Sequence, residues 1–229
     1  MKRKYLMVFA SAGFAGFLLG PSPAVAQVSL GAAEDFAVLG GSAVTATDSV
    51  VEGNVGVDLG GAVTQTTSRI SGMVHLGDTV AQQARLDFLA AYGPLGLVQC
   101  DFDLTGQPLA GKSLTPGVYC FDTAVTETGG QLILDGPSDG IWIFEIGISG
   151  VGALTGTNFS VVMPGGEVCN NNVFWWAADA ATLTDSVFLG SILSGTATTV
   201  TRGSLDGQAF AKAAVTLTGT SVCGGPPAL

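Results

Sequence analysis

Residues 181–223 read ATLTDSVFLGSILSGTATTVTRGSLDGQAFAKAAVTLTGTSVC, and this stretch repeats with a step that can be counted. Thr182-Leu183-Thr184 returns 17 residues later as Thr199-Val200-Thr201 and, after another 17, as Thr216-Leu217-Thr218. Gly190, Gly207 and Gly224 keep the same step, as do two apolar columns: Trp176, Leu193 and Phe210, and Phe188, Leu205 and Val222. A step that preserves glycine, apolar and small polar positions together marks a solenoid, in which each repeat is one coil stacked on its neighbour. Strand side chains alternate, so the apolar positions fall inside such a coil and Thr-x-Thr falls on one outer face.

The rest of the chain extends this pattern. Short strand-like runs at 36–39, 131–134 and 141–146 are punctuated by Gly, Asn or Asp, which predicts a mainly β chain with frequent corners. Residues 78–92 (DTVAQQARLDFLAAY) differ, with neither Gly nor Pro and an apolar stripe of Val80, Ala84, Phe88 and Tyr92 beside Ala81. The spacing predicts one helix over 78–92, capped by Asp78, ended by Gly93-Pro94 and lying along the apolar side of the solenoid.

Lys2, Arg3 and Lys4 precede an uncharged, mostly apolar run to Leu19, then Pro21, Pro23 and Ala24-Val25-Ala26. This is the order of a secretory signal peptide cleaved after Ala26, and the run is shorter than the ~20 residues of a spanning helix. The expectation is a leader over 1–26, one secreted domain over 27–229 and no membrane anchor. Removing the leader moves the net charge from −10 to −13, so neither nucleic acid nor an anionic membrane is an expected partner. Four cysteines in an exported chain read as two disulfides, with three connectivities open for Cys100, Cys120, Cys169 and Cys223. No C-x-x-C pair and a single histidine, His75, argue against metal binding.

With these pieces assembled, the chain resembles the ice-binding-protein-like family of secreted β-solenoids. The resemblance is carried by Phe36-Ala37-Val38-Leu39-Gly40-Gly41-Ser42, Gly53-Asn54-Val55-Gly56-Val57, Asp103-Leu104-Thr105-Gly106-Gln107, Leu114-Thr115-Pro116-Gly117-Val118-Tyr119-Cys120-Phe121, Asn172-Val173-Phe174-Trp175 and the three Thr-x-Thr coils. It implies a right-handed β-helix of triangular section with one long helix alongside, and N-terminal strands joining the coil near its C-terminal rungs. It also implies the pairings Cys100–Cys120 and Cys169–Cys223, a monomer, no cofactor and an ice crystal surface as partner. Ice-binding members carry Thr-Ala/Gly-x-Thr/Asn on one flat face. The corresponding candidates are Thr155, Thr157, Asn158, Thr182, Thr184, Thr199, Thr201, Thr216, Thr218 and Thr220. Thr155-Gly156-Thr157-Asn158 fits in full, whereas Thr196-Ala197-Thr198-Thr199 fits by letter at an expected corner. Asp185 and Arg202 follow the second threonine of adjacent coils, as an ion pair that would roughen the face if both project from it.

Other readings attach to particular residues. Thr-x-Thr is also an ordinary solvated β surface, so the alternative function is a surface, adhesion or carbohydrate-binding module on the same fold. Of Trp175 and Trp176, one faces the core and the other is the candidate platform for extracellular polysaccharide. His75 is expected in a satisfied surface or capping role. Asn158-Phe159-Ser160 is a glycosylation sequon. No G-x-S-x-G, H-E-x-x-H or P-loop occurs, and Glu145, Asp179, Asp185 and Asp206 have few basic residues to work with, so no enzymatic activity is expected.

Overall fold

The computed structural model describes residues 28–165, 169 and 171–225; the expected leader over 1–26 lies outside these residues. The described chain is mainly β, with one nine-stranded sheet, one twelve-stranded sheet and a single α-helix. Every strand pairing is parallel.

The order of passes is not the order of the chain. Phe36–Gly40 lies between Asn54–Val57 and Ala209–Ala211, and Ala43–Thr47 lies between Ala62–Thr66 and the Ala214–Cys223 strand. The N-terminal strands therefore join the C-terminal rungs, as the resemblance implied. After Val74–Leu76 the helix Thr79–Leu95 takes the chain to the far end of the stack, about 25 Å at 1.5 Å per residue. From Phe102–Asp103 the later passes build back until Ala209–Ala211 meets Phe36–Gly40 and Ala214–Cys223 meets Ala43–Thr47.

The nine-stranded sheet is largely apolar on both faces, as suits parallel strands covered on two sides. Its strands Phe36–Gly40, Gly117–Phe121, Trp142–Ile146 and Val173–Ala177 are buried at every position. Inward, Tyr119, Phe144 and Trp175 stack in successive rungs, with ring centroids 5.4 and 3.8 Å apart. Outward, the column Trp176, Leu193 and Phe210 meets Phe88, Tyr92 and Leu95 of the helix. These apolar positions thus face the helix rather than the interior. Each fully buried side chain of this size contributes on the order of 1.5–3 kcal/mol, which is what holds the helix down.

Asp78 caps that helix as expected, accepting from the Ala81 N–H at 2.9 Å. The buried stripe is Ala81, Ala84, Arg85, Phe88, Tyr92 and Leu95, whereas Val80 is exposed. Arg85 is a buried cation whose guanidinium donates to the Ala211 and Lys212 carbonyls at 2.9 and 2.7 Å. The expected stop at Gly93-Pro94 does not hold, because the helix continues to Leu95. Proline disfavours a helical predecessor largely through that residue's Cβ, and Gly93 has none. His75 is satisfied but buried rather than at the surface, its Nδ1 lying 2.8 Å from Asp78. Both disulfides have the implied pairing, with Cα separations of 5.9 Å for Cys100–Cys120 and 5.2 Å for Cys169–Cys223.

Candidate functional site

The twelve-stranded sheet has two arms that meet at a corner, and the first arm carries the threonines. Strand register places Thr64, Thr45, Thr216, Thr199, Thr182, Thr155 and Thr126 side by side in one column. A second column, two residues further along each strand, contains Thr66, Thr47, Thr218, Thr201, Thr184, Thr157 and Thr128. Seven rungs therefore present Thr-x-Thr without interruption. With rungs ~4.8 Å apart and alternate residues ~6.8 Å apart, the grid measures about 29 by 7 Å.

The intervening residue of each rung alternates to the other side. Ala46, Gly156, Leu183, Val200 and Leu217 are buried there. In the outermost of these rungs Glu127 also turns inward, where its carboxylate accepts from the Leu109 and Ala110 N–H groups at 2.6 and 3.2 Å. The five central rungs hold their threonines half-buried, each shielded by threonines on both sides, while Thr64, Thr66, Thr126 and Thr128 at the two ends are exposed.

A left-handed residue ends the grid in every rung. Asp48, Thr67, Asn158, Asp185, Arg202, Gly129 and Gly219 follow the second threonine, all with φ between 50° and 71°. Behind three of these corners a serine hydroxyl donates to the carbonyl of the second threonine: Ser49 to Thr47 at 2.8 Å, Ser68 to Thr66 at 3.0 Å and Ser186 to Thr184 at 2.9 Å. These bonds fix the edge of the grid, from inside at Ser49 and Ser186. Asp185 and Arg202 do form the expected pair, with two hydrogen bonds of 2.6 and 2.7 Å. They occupy the corner rather than a threonine column. The Arg202 guanidinium holds the Asp185 carboxyl below its ordinary range, and the carboxylate in turn raises Arg202.

The other two sides offer no comparable grid. On the second arm one outward-facing column reads Arg69, Val50, Ser221, Ser204, Val187, Ser160 and Gln131, a mixture of four residue types. The outer face of the nine-stranded sheet lies under the helix.

Eight of the ten threonine-site candidates stand in the two columns. Asn158 is exposed at the corner beside them. Thr220 is a correction: it is buried, and its hydroxyl donates to the Gly203 carbonyl at 3.0 Å. Thr220→Val should therefore cost about 0.5–1.5 kcal/mol of unfolding free energy, read from a urea titration, by removing that part-buried hydrogen bond. Thr198 is buried as well, with its hydroxyl 2.8 Å from Ser194 at the anticipated corner. The tryptophan platform is also overturned. Trp175 lies in the core, and Trp176 sits beneath the helix with its indole N–H donating to the Tyr92 carbonyl at 2.9 Å. Six grid threonines escaped the sequence reading: Thr45, Thr47, Thr64, Thr66, Thr126 and Thr128. Each belongs to a Val-Thr-x-Thr or Val-Thr-Ala-Thr string, the one available signal.

Comparison with known proteins places the chain in a family. Residues 38–223 match the ice-binding-like family, to which the chain belongs. An ice-binding protein of Nostoc sp. (strain HG1) is 38% identical over 208 residues, covering 89% of this chain and 75% of that protein. One from Flammulina populicola is 31% identical, with 87% of each chain covered. The crystal structure of an ice-binding protein from the Antarctic ascomycete Antarctomyces psychrotrophicus superposes with a TM-score of 0.76 at 28% identity, covering 87% of this chain and 99% of that one.

Proposed function

We propose that this protein is a secreted ice-binding protein that adsorbs to ice through the double threonine column. The observation that carries the proposal is the register itself: fourteen threonines in seven uninterrupted rungs on the side that neither the helix nor mixed side chains occupy. Each threonine offers a methyl group and a hydroxyl on a side chain restricted at χ1, so ordering water over the array costs little entropy. Water held on this grid would merge with the ice lattice, and the anchored protein would force the ice front to curve between anchors, opposing growth. No cofactor and no catalytic step are required.

The same proposal takes the chain as a right-handed β-helix of triangular section, cleaved after Ala26 and exported as a monomeric domain over 27–229. Support comes from the parallel stacking of passes, the family match and the two disulfides, which suit an oxidising compartment. The test is thermal hysteresis together with ice recrystallisation of the 27–229 form. Crystal growth indistinguishable from a buffer control at high protein concentration would end the proposal, and retention on polysaccharide beads would favour a carbohydrate-binding module. Because the Asp185–Arg202 pair borders the grid, the Asp185→Ala/Arg202→Ala double variant should keep its thermal hysteresis and, as an exposed pair, nearly its full melting temperature.

A further inference from the structure

One buried acid plays no part in the threonine grid. Glu145 lies in the Trp142–Ile146 strand, alternating with the inward Phe144 and Ile146, so it points to the side that carries Ile143 and the helix. It is only 2% exposed, and its Oε1 has no hydrogen-bond partner among the described residues. Its strand neighbour on one side is Cys120 and on the other Trp176. The Trp176 indole N–H is already given to Tyr92, and the Tyr92 hydroxyl to the Ala177 carbonyl. No salt bridge among the described residues involves Glu145. What it does face is the Cys100–Cys120 disulfide: Oε2 lies 3.9 Å from Cys120 Sγ, and the two sulfurs and a carboxylate oxygen all lie within 4.8 Å of one another.

The two sulfurs differ in access. Cys120 is 1% exposed, whereas Cys100, on the segment that follows the helix, is only partly buried. An external thiolate would therefore attack Cys100 and expel Cys120. A thiolate released into an apolar, cation-free site is a poor leaving group unless a proton reaches it.

We propose that Cys100–Cys120 is a thiol–disulfide exchange site for small alkyl thiols, with Glu145 as its resident proton donor and acceptor. In the reducing direction the thiolate RS⁻ bonds to Cys100 Sγ while the S–S bond breaks toward Cys120. The Glu145 carboxyl proton passes to Cys120 Sγ, leaving a thiol and a carboxylate. A second RS⁻ then attacks the mixed disulfide, releasing RSSR, and solvent protonates Cys100. In the oxidising direction the Glu145 carboxylate removes the Cys120 proton, and the resulting thiolate displaces RS⁻ from the mixed disulfide at Cys100. Desolvation keeps Glu145 protonated up to about 7, so the donor form is the populated one in weak acid.

The test measures reduction of each disulfide by dithiothreitol in the intact folded protein at pH 5.5 to 8.5. Samples are quenched by alkylation, resolved by mass spectrometry and normalised to reductant thiolate. Cys169–Cys223 is the internal reference. The wild type should reduce Cys100–Cys120 first, with a normalised rate that falls as pH rises through 7. Glu145→Gln, which keeps the shape, should slow this reduction at least tenfold at pH 5.5, lose the pH dependence and leave Cys169–Cys223 unchanged. An unaltered rate, an unaltered pH profile or parallel changes in both disulfides would overturn the assignment. Circular dichroism of the variant confirms that the fold persists; should it not, Glu145→Asp replaces it, retaining the pH dependence at a reduced rate.

Discussion

Replacing Thr201 by Tyr is expected to lower thermal hysteresis at least tenfold while leaving the melting temperature within about 2 °C. Thr201 stands in the fourth of seven rungs, flanked by Thr184 and Thr218. Adsorption to a crystal draws on many weak contacts made at once, and those gains multiply only while geometry lets all of them engage. A phenol ring projecting from the middle of the grid would hold several rungs away from the surface. The fold should be nearly indifferent, because an aromatic residue suits a half-exposed strand position and surface substitutions generally stay within about 0.5 kcal/mol. Val187→Tyr on the exposed second arm is the matched control, and it should retain full activity. Equal activity in wild type and Thr201→Tyr would mean that another face meets the ice.

Glu145→Gln should stabilise the protein at pH 8 by about 3 kcal/mol, a rise of roughly 6–12 °C in melting temperature for a domain of this size. Burial pushes the Glu145 carboxyl up to about 7, against an ordinary value of 4.5, and a hydrogen bond from Val98 offsets only part of this. The sign follows from proton linkage. Below pH 4.5 the carboxyl is neutral in both folded and unfolded chains, so ionisation adds no cost. Between 4.5 and 7 the unfolded chain ionises first, so folding loses ground as pH rises, and above 7 the loss is constant. Glutamine cannot ionise, so the difference between variant and wild type should be small at pH 4.5 and fully developed at pH 8. A stability difference that does not grow across this interval would rule out a buried neutral carboxyl.

The threonines at 182, 199 and 216 were legible in the sequence because three consecutive passes have equal length. Thr45 and Thr64 were not, because they stand 19 residues apart and their column continues at Thr216, at the other end of the chain. Thr126 was missed because a pass of 29 residues separates it from Thr155. Thr220 misled for a local reason. Strand alternation places it with Thr216 and Thr218, but Gly219, with φ at 59°, resets the phase and turns the next side chain inward. In the helix, a strict spacing of four advances about 40° per step, so Val80 drifts off the face that Ala81, Ala84, Phe88, Tyr92 and Leu95 share. The tryptophan misassignment has a similar origin, since no local pattern announces that a distant helix will cover Trp176.

The meeting of N-terminal and C-terminal strands has a consequence for biosynthesis. Ala43–Thr47 is among the earliest strands made, and its permanent neighbour Ala214–Cys223 is the last. Until the final strand has left the ribosome, the grid exists as two fragments with a gap between them. Parallel pairing over some 170 residues of intervening chain closes slowly, so a nascent or truncated protein lacks the continuous array. Completion of the surface is thereby coupled to completion of the polypeptide, and chains cut short of residue 214 would have no seven-rung face to offer.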